Sequence, residues 1–185
     1  MDSMGSSYSN ITLRGPTQTQ IVETLREWQN VACISPTVND FTVVFDEKSD
    51  SLNFDVIHAL ASKLSRRFQC PALAVAVYDS DVLCYFVCNN GRKVDEYQSA
   101  HGTWFEIRIP TGGDAEELCQ LFGAPGVDDN EVDDALLGDD DGDDHHDLLV
   151  KALGLPAFSV GLGYRYIQAD GVEDEILAAG LDCIK

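Results

Sequence analysis

The densest chemistry in the chain is Asp128 to Asp147 (DDNEVDDALLGDDDGDDHHD), eleven carboxylates in twenty residues with no Lys or Arg among them. Hard cations bind several carboxylate oxygens at once, so a calcium loop is the first chemistry to weigh. The spacing opposes it. With Gly142 at the sixth position of a twelve-residue calcium loop, Leu137 falls first and Leu148 last, where ligands are required. His145 and His146 are adjacent, so on a helix they point about 100° apart and are badly placed to share one ion. No metal and no cofactor is therefore expected. Repulsion among the carboxylates favours a solvated acidic loop over about 128–147, whose remaining use is to dock a basic partner. Its expected contacts are Asp139, Asp140, Asp141, Asp143 and Asp144.

Other reactive residues have plainer explanations. Cys84 and Cys88 have a metal spacing for a helix, but the aromatic and β-branched residues around them indicate a strand. There the two thiols lie about 13 Å apart, too far to share an ion. Cys70 could act as a nucleophile only if the fold brought His58 or His101 to it, and nothing in the spacing does so. Gly161-Leu162-Gly163 begins like a phosphate loop but lacks the later glycine, and reads as a glycine-loosened strand that lets another element approach. Tyr97, Trp104, Tyr164 and Tyr166 could line a contact patch, or could simply pack.

The charge shows which partners suit the chain. Its 185 residues carry a formal net charge of −20, from 32 acidic and 12 basic residues, so nucleic acid and anionic membranes are poor partners and a basic protein is a better one. The imbalance is local. Residues 1–110 hold 13 acids and 9 bases, whereas residues 111–185 hold 19 acids and 3 bases. No run reaches the roughly 18 apolar residues of a membrane span, and the first ten residues lack the pattern of a signal peptide. A cytoplasmic location follows, with six cysteines of no disulfide or zinc spacing expected as buried thiols.

The elements that must position these residues are legible in order. Residues 1–7 are polar and expected to be disordered; one domain should span 8–185. Tyr8 to Arg14 reads as a strand. Thr17 and Gln20 have the spacing of a capping box that opens a helix through Trp28. Val31 to Ser35 and Phe41 to Asp46 read as an antiparallel pair around a five-residue turn. Asn53 or Ser51 can cap a second helix, with Ile57, Leu60, Ala61, Leu64 and Phe68 on its inner face.

The stretch from Pro71 to Gln98 reads as a three-strand meander with turns at Asp79-Ser80-Asp81 and Asn89-Asn90-Gly91, and Trp104 to Ile109 as a further strand. Past Pro110 the periodicity predicts helices from Asp114, over 130–137 and over 144–153, a strand over 158–168 and a helical turn over 173–179. The sum is an α+β fold: a mainly antiparallel sheet of about six strands, two helices on one face, and a C-terminal helical section.

Four segments together carry a resemblance: YSNITLRGPTQ, SPTVNDFTVVFDEKSD, LSRRFQCPALAVAVYDSDVLCYFV and LVKALGLPAFSVGLGYRYI. They resemble a family of small bacterial cytoplasmic proteins with no assigned activity. The resemblance implies one fold from end to end but brings no catalytic residue, and the aspartate run departs from its pattern.

These observations favour a non-catalytic protein-binding module, such as an immunity-like inhibitor that presents carboxylates to a basic target. The alternatives are a small-molecule binder or enzyme with a pocket between sheet and C-terminal section, and a nucleic-acid mimic.

Overall fold

Tyr8–Arg14 (β1) ends at Gly15, and the first helix opens at Thr17. The Thr17 side chain caps the amide of Gln20, and Gln20 Oε1 accepts from the Thr17 amide at 2.9 Å, a capping box that starts α1 (Gln18–Glu27). β2 (Ala32–Ile34) and β3 (Phe41–Asp46) follow. Asn53 caps the amides of Asp55 and Val56 to start α2 (Phe54–Phe68). The computed structural model describes residues 5–99, 109–138 and 141–185.

The meander β4 (Pro71–Tyr78), β5 (Val82–Asn89) and β6 (Arg92–Gln98) turns twice through paired positive φ angles, at Asp79 and Ser80 and at Asn90 and Gly91. Both are the backbone shape that matches the right-handed twist of a two-residue hairpin. Thr111–Gly112 (β7) and Asp182–Ile184 (β8) are short edge strands. All eight strands form one antiparallel sheet in the order β7-β6-β5-β4-β1-β3-β2-β8.

The alternation in β4 fixes what lies on each side. Ala72, Ala74 and Ala76 face α1 and α2, where small side chains let Ile57, Leu60, Ala61 and Leu64 of α2 come close. Leu73, Val75 and Val77 face the opposite way, together with Leu83, Tyr85 and Val87 of β5. That second face is covered by α3 (Ala115–Phe122), α4 (Asp129–Leu137) and α5 (Gly142–Leu153), through Leu118, Phe122, Val132, Leu136, Leu149 and Leu153. Farther along, Cys33, Val43 and Phe45 are covered by Phe158, by Ile167 of α6 (Tyr164–Asp170) and by Leu177 of α7 (Glu175–Gly180).

Four expectations need correction. The sheet has eight strands rather than about six, because β7 and β8, two and three residues long, are too short to show a pattern. Residues 158–168 are a short 3-10 turn and α6 rather than a strand; packing of Ile167 against Cys33 and Phe45 overrides the β-favouring composition. The six cysteines are not all thiols: Cys33 of β2 and Cys183 of β8 are disulfide-bonded, 150 residues apart, a distance at which spacing carries no signal. The acidic loop expected over about 128–147 is mostly helix, in line with the helical periodicity over 130–137 and 144–153, with α4 and α5 occupying 129–137 and 142–147 of it. Trp104 to Arg108, in the further strand expected after the meander, lie outside the described residues, and Ile109 is an exposed bend.

Candidate functional site: an acidic groove over a buried polar network

Carboxylates start each helix of the acidic layer. Asp114 accepts from the Glu117 amide at the head of α3, and Asp128 accepts from the Asn130 amide at the head of α4. Asp143 and Asp144 stand in the first turn of α5, where negative charge suits the helix dipole. Gly142 is required by contact rather than by conformation. A Cβ there would sit 2.8 Å from the Val82 amide nitrogen, so the head of α5 lies directly on the β4–β5 turn.

With Val132, Leu136, Leu149, Val150 and Leu153 turned into the core, α4 and α5 expose their other faces side by side. Between them runs a groove of about 380 Å³ lined by the apolar Ala135, Leu148 and Ala152, by the carboxylates Glu131 and Asp134, and by Lys151. Leu148 is 39% exposed, and Leu137 at the end of α4 is 70% exposed. From 111 to 153 the chain holds fourteen acidic residues and a single basic one, Lys151, which is paired with Asp147. The opposite helical layer is different in character: the last turn of α2 carries Arg66 and Arg67, and Lys63 lies over the Trp28 ring at 3.6 Å.

The five expected contact residues separate. Asp141 and Asp144 are exposed, whereas Asp143 is half-buried with Oδ2 accepting from Ser6 Oγ at 2.5 Å. Asp139 and Asp140 lie outside the described residues. The groove residues were missed, although their spacing holds a signal. Glu131, Asp134 and Ala135 repeat the i, i+3, i+4 pattern of one helical face, as do Leu148, Lys151 and Ala152.

His145 and His146 are buried beneath this layer rather than exposed in a loop. His145 Nε2 lies 3.0 Å from the Tyr97 hydroxyl, which donates to the Leu136 carbonyl at 2.6 Å. His146 Nδ1 lies 2.8 Å from the Tyr8 hydroxyl. Burial pushes the His146 imidazole down to about 4, against the opposing pull of Asp143 and Asp147, so it is neutral at ordinary pH. Burial likewise raises the Tyr8 and Tyr97 hydroxyls, which keep their protons. Nearby, Tyr85 donates to Asp95 at 2.8 Å. These contacts tie α5 to β1 and β6.

The other candidates do not assemble. Cys70 is buried, its thiol pushed up to about 12 by burial, and His58 sits some three helical turns away with its ring against Phe86. His101 lies outside the described residues. Cys84 and Cys88 are buried thiols on β5, pushed up to about 12 and about 11 by burial. A larger cavity of about 550 Å³ lies between Arg14, Asp40, Cys70 and Gln120, but the Arg14 guanidinium already donates to the Leu121 carbonyl at 3.0 Å.

Gly163 does allow a close approach, though at a helix start: a Cβ there would lie 2.3 Å from Asp50 Oδ1. Tyr97 is core with Tyr166 of α6 packed against the same cluster, Tyr164 packs against the Cys33–Phe45 cluster, and Trp104 lies outside the described residues. Among the described residues no group of three or more His, Cys, Asp or Glu is placed to hold a metal ion, and no helix is long and apolar enough to cross a membrane.

No protein-family model matches the chain, and no curated protein or solved structure is similar to it.

Proposed function

We propose that the chain is a non-catalytic protein-binding module that docks a basic, amphipathic segment of its partner in the α4–α5 groove, as an immunity-like inhibitor would. The observation that carries this reading is the pairing of an apolar lining at Ala135, Leu148 and Ala152 with the carboxylates of Glu131 and Asp134. The apolar lining supplies affinity, at about 25 cal/mol for each Å² covered, and the carboxylates supply steering and orientation. Regular helices hold these carboxylates in place, so little order has to be bought on binding.

Affinity capture with two charge-matched variants tests it. Glu131→Lys with Asp134→Lys alters the groove, and Glu23→Lys with Glu27→Lys makes the same charge change on the opposite layer. A basic protein captured by the wild type and by the α1 variant, but lost from the groove variant, supports the reading. Equal retention by both variants overturns it.

A nucleic-acid mimic is the second reading, favoured by one observation: the acidic stretch is carried on helices, which provides the rigidity that phosphate mimicry demands. A captured partner that releases DNA on binding would select it.

A further inference from the structure

Strand β8 is the sheet's outermost element on the β2 side, and it is three residues long. Its register sets Asp182 opposite Ile34, Cys183 opposite Cys33 and Ile184 opposite Ala32. The two cysteines are bonded across this pair. Beside this backbone pairing, three other contacts hold the segment. Ile184 is buried in the α1 side of the core, the Gln18 side-chain amide donates to the Gly180 carbonyl at 2.6 Å, and Arg26 pairs with Asp182 at 3.4 Å. Both partners of that ion pair are well exposed, and such pairs contribute little. The disulfide is thus the one covalent tie between β8 and the sheet, added to a three-residue ladder and the burial of Ile184.

The two sulfur-bearing residues are unequal. Cys33 is wholly buried under Phe158, Ile167 and Leu177, with the Gln168 side-chain amide 3.4 Å from its sulfur. Cys183 is exposed. An approaching thiol reaches Cys183 and not Cys33. Of the other cysteines, Cys70, Cys84 and Cys88 are buried in the core and Cys119 is half-buried, so none competes from the surface.

We propose that Cys33–Cys183 is a thiol-exchange site at which a dithiol reductant uncouples β8 and turns β2 into an open sheet edge. A thiolate of the dithiol attacks the Cys183 sulfur, forming a mixed disulfide there and expelling Cys33 as a thiolate that takes up a proton. The second thiol then attacks the reductant's own sulfur in the mixed disulfide and releases Cys183, which is also protonated. Two electrons pass from the dithiol to the protein, and the reductant leaves as a disulfide. With the bond gone, a three-residue ladder, the buried Ile184 and the Gln18 contact are what hold the strand, so it opens more readily and exposes the outward backbone groups of Ala32 to Ile34 to another strand. In an oxidising compartment the edge is closed; in a reducing one it opens. Local stability at this edge is therefore set by redox state, while the meander on the far side of the sheet is untouched.

Peptide mapping and amide hydrogen exchange on the full chain test this, with dithiothreitol as the probe and Cys183→Ser as a variant that cannot form the bond. Mapping should find Cys33 linked to Cys183 after equilibration with oxidised glutathione. Dithiothreitol should then speed exchange over 32–34 and 182–184 at least tenfold with 72–88 unchanged, and Cys183→Ser should behave the same way without reductant. Two free thiols after oxidation, exchange at the edge that ignores both reduction and the substitution, or exchange that rises over the whole chain at once would each overturn the proposal.

Discussion

The Tyr8 hydroxyl lies 2.8 Å from Nδ1 of His146, joining the first strand to the last helix of the acidic layer. Both side chains are fully or almost fully buried. His146 is pushed from the usual 6.5 down to about 4 chiefly by burial, so between those values the unfolded chain binds a proton that the folded chain does not. Stability is thus highest above pH 6.5 and falls as the pH drops toward 4, by up to about 3 kcal/mol from this residue. Urea unfolding of wild type and His146→Gln from pH 4 to 7 reads the effect as the difference between the two. The difference in unfolding free energy should change in the wild type's disfavour on acidification. A difference independent of pH would show that His146 is not held neutral.

Tyr8→Phe asks what the same bond contributes. It removes the hydroxyl and leaves a buried imidazole nitrogen without its partner, which costs about 1–3 kcal/mol. Equilibrium unfolding at pH 7 should show that loss, with near-ultraviolet circular dichroism unchanged because the ring still packs against His146 at a centroid distance of 5.8 Å.

Asp50 is an anchor of a different kind. It is 1% exposed and accepts from the Arg165 amide at 2.7 Å, from Arg165 Nε at 3.2 Å and from the Ser9 amide at 3.3 Å, so it holds α6 to β1. Gly163 leaves the room this requires. Gly163→Ala would place a carbon 2.3 Å from Asp50 Oδ1 and 3.0 Å from the Tyr8 Cβ, neither of which is the free end of a flexible chain. The expected loss is about 2–4 kcal/mol, comparable to other severe packing errors. Gly161→Ala meets nothing within 4 Å, so only its positive φ weighs against it and the loss should be about 1 kcal/mol. Thermal melts of the two variants check the ranking.

Much of this architecture is readable from residues alone. The Thr17–Gln20 capping box, the Asn53 and Asp114 caps, the β4–β5–β6 meander and the Asn90-Gly91 turn depend on neighbours a few residues apart, and each forms as its local chemistry dictates. What could not be read depends on distant partners. α6 is helical because Gly163 fits against Asp50 and Ile167 against Phe45, and β8 pairs with β2 across a Cys33–Cys183 bond that spans 150 residues of sequence. The histidines illustrate the limit best. Surrounded by aspartates, His145 and His146 look solvated, yet burial of α5 against β1 and β6 hands each a tyrosine from far along the chain. The groove was within reach of the sequence, since the helices expected over 130–137 and 144–153 bring Glu131, Asp134 and Ala135 to one face, but the pairing of those two helices depends on contacts between distant segments.

If the α4–α5 groove docks a basic segment, its carboxylates and its apolar lining should act on different rates. Glu131→Gln with Asp134→Gln removes charge from the groove and should slow association several-fold at 50 mM salt, with the difference shrinking as the Debye length falls to about 8 Å at physiological salt. Leu148→Ala removes apolar area from the lining, worth about 1–2 kcal/mol when covered, and should speed dissociation roughly five- to thirtyfold with association unchanged. Surface plasmon resonance with the captured partner reads both rates. A charge variant that altered only dissociation would place the contact elsewhere.

Thiol labelling supplies the final check, because the fold ranks the cysteines by access and by acidity. Cys70, Cys84 and Cys88 are buried, and burial pushes their thiols up to between about 11 and about 12, so almost none is thiolate at pH 8. Cys119 is the half-buried one; burial first, and then Asp129 and Asp128, raise its thiol too. Iodoacetamide on the native oxidised protein at pH 8 should therefore modify Cys119 first and slowly. Cys70, Cys84 and Cys88 should follow only on unfolding, and Cys33 and Cys183 only on reduction. Raising the salt to 1 M should speed Cys119, since the repulsion of its thiolate by two exposed aspartates is screened, and should leave the core thiols unchanged because their barrier is burial. Mass spectrometry of the labelled peptides gives the order, and early modification of Cys84 or Cys88 would mean that β5 is not covered on both faces.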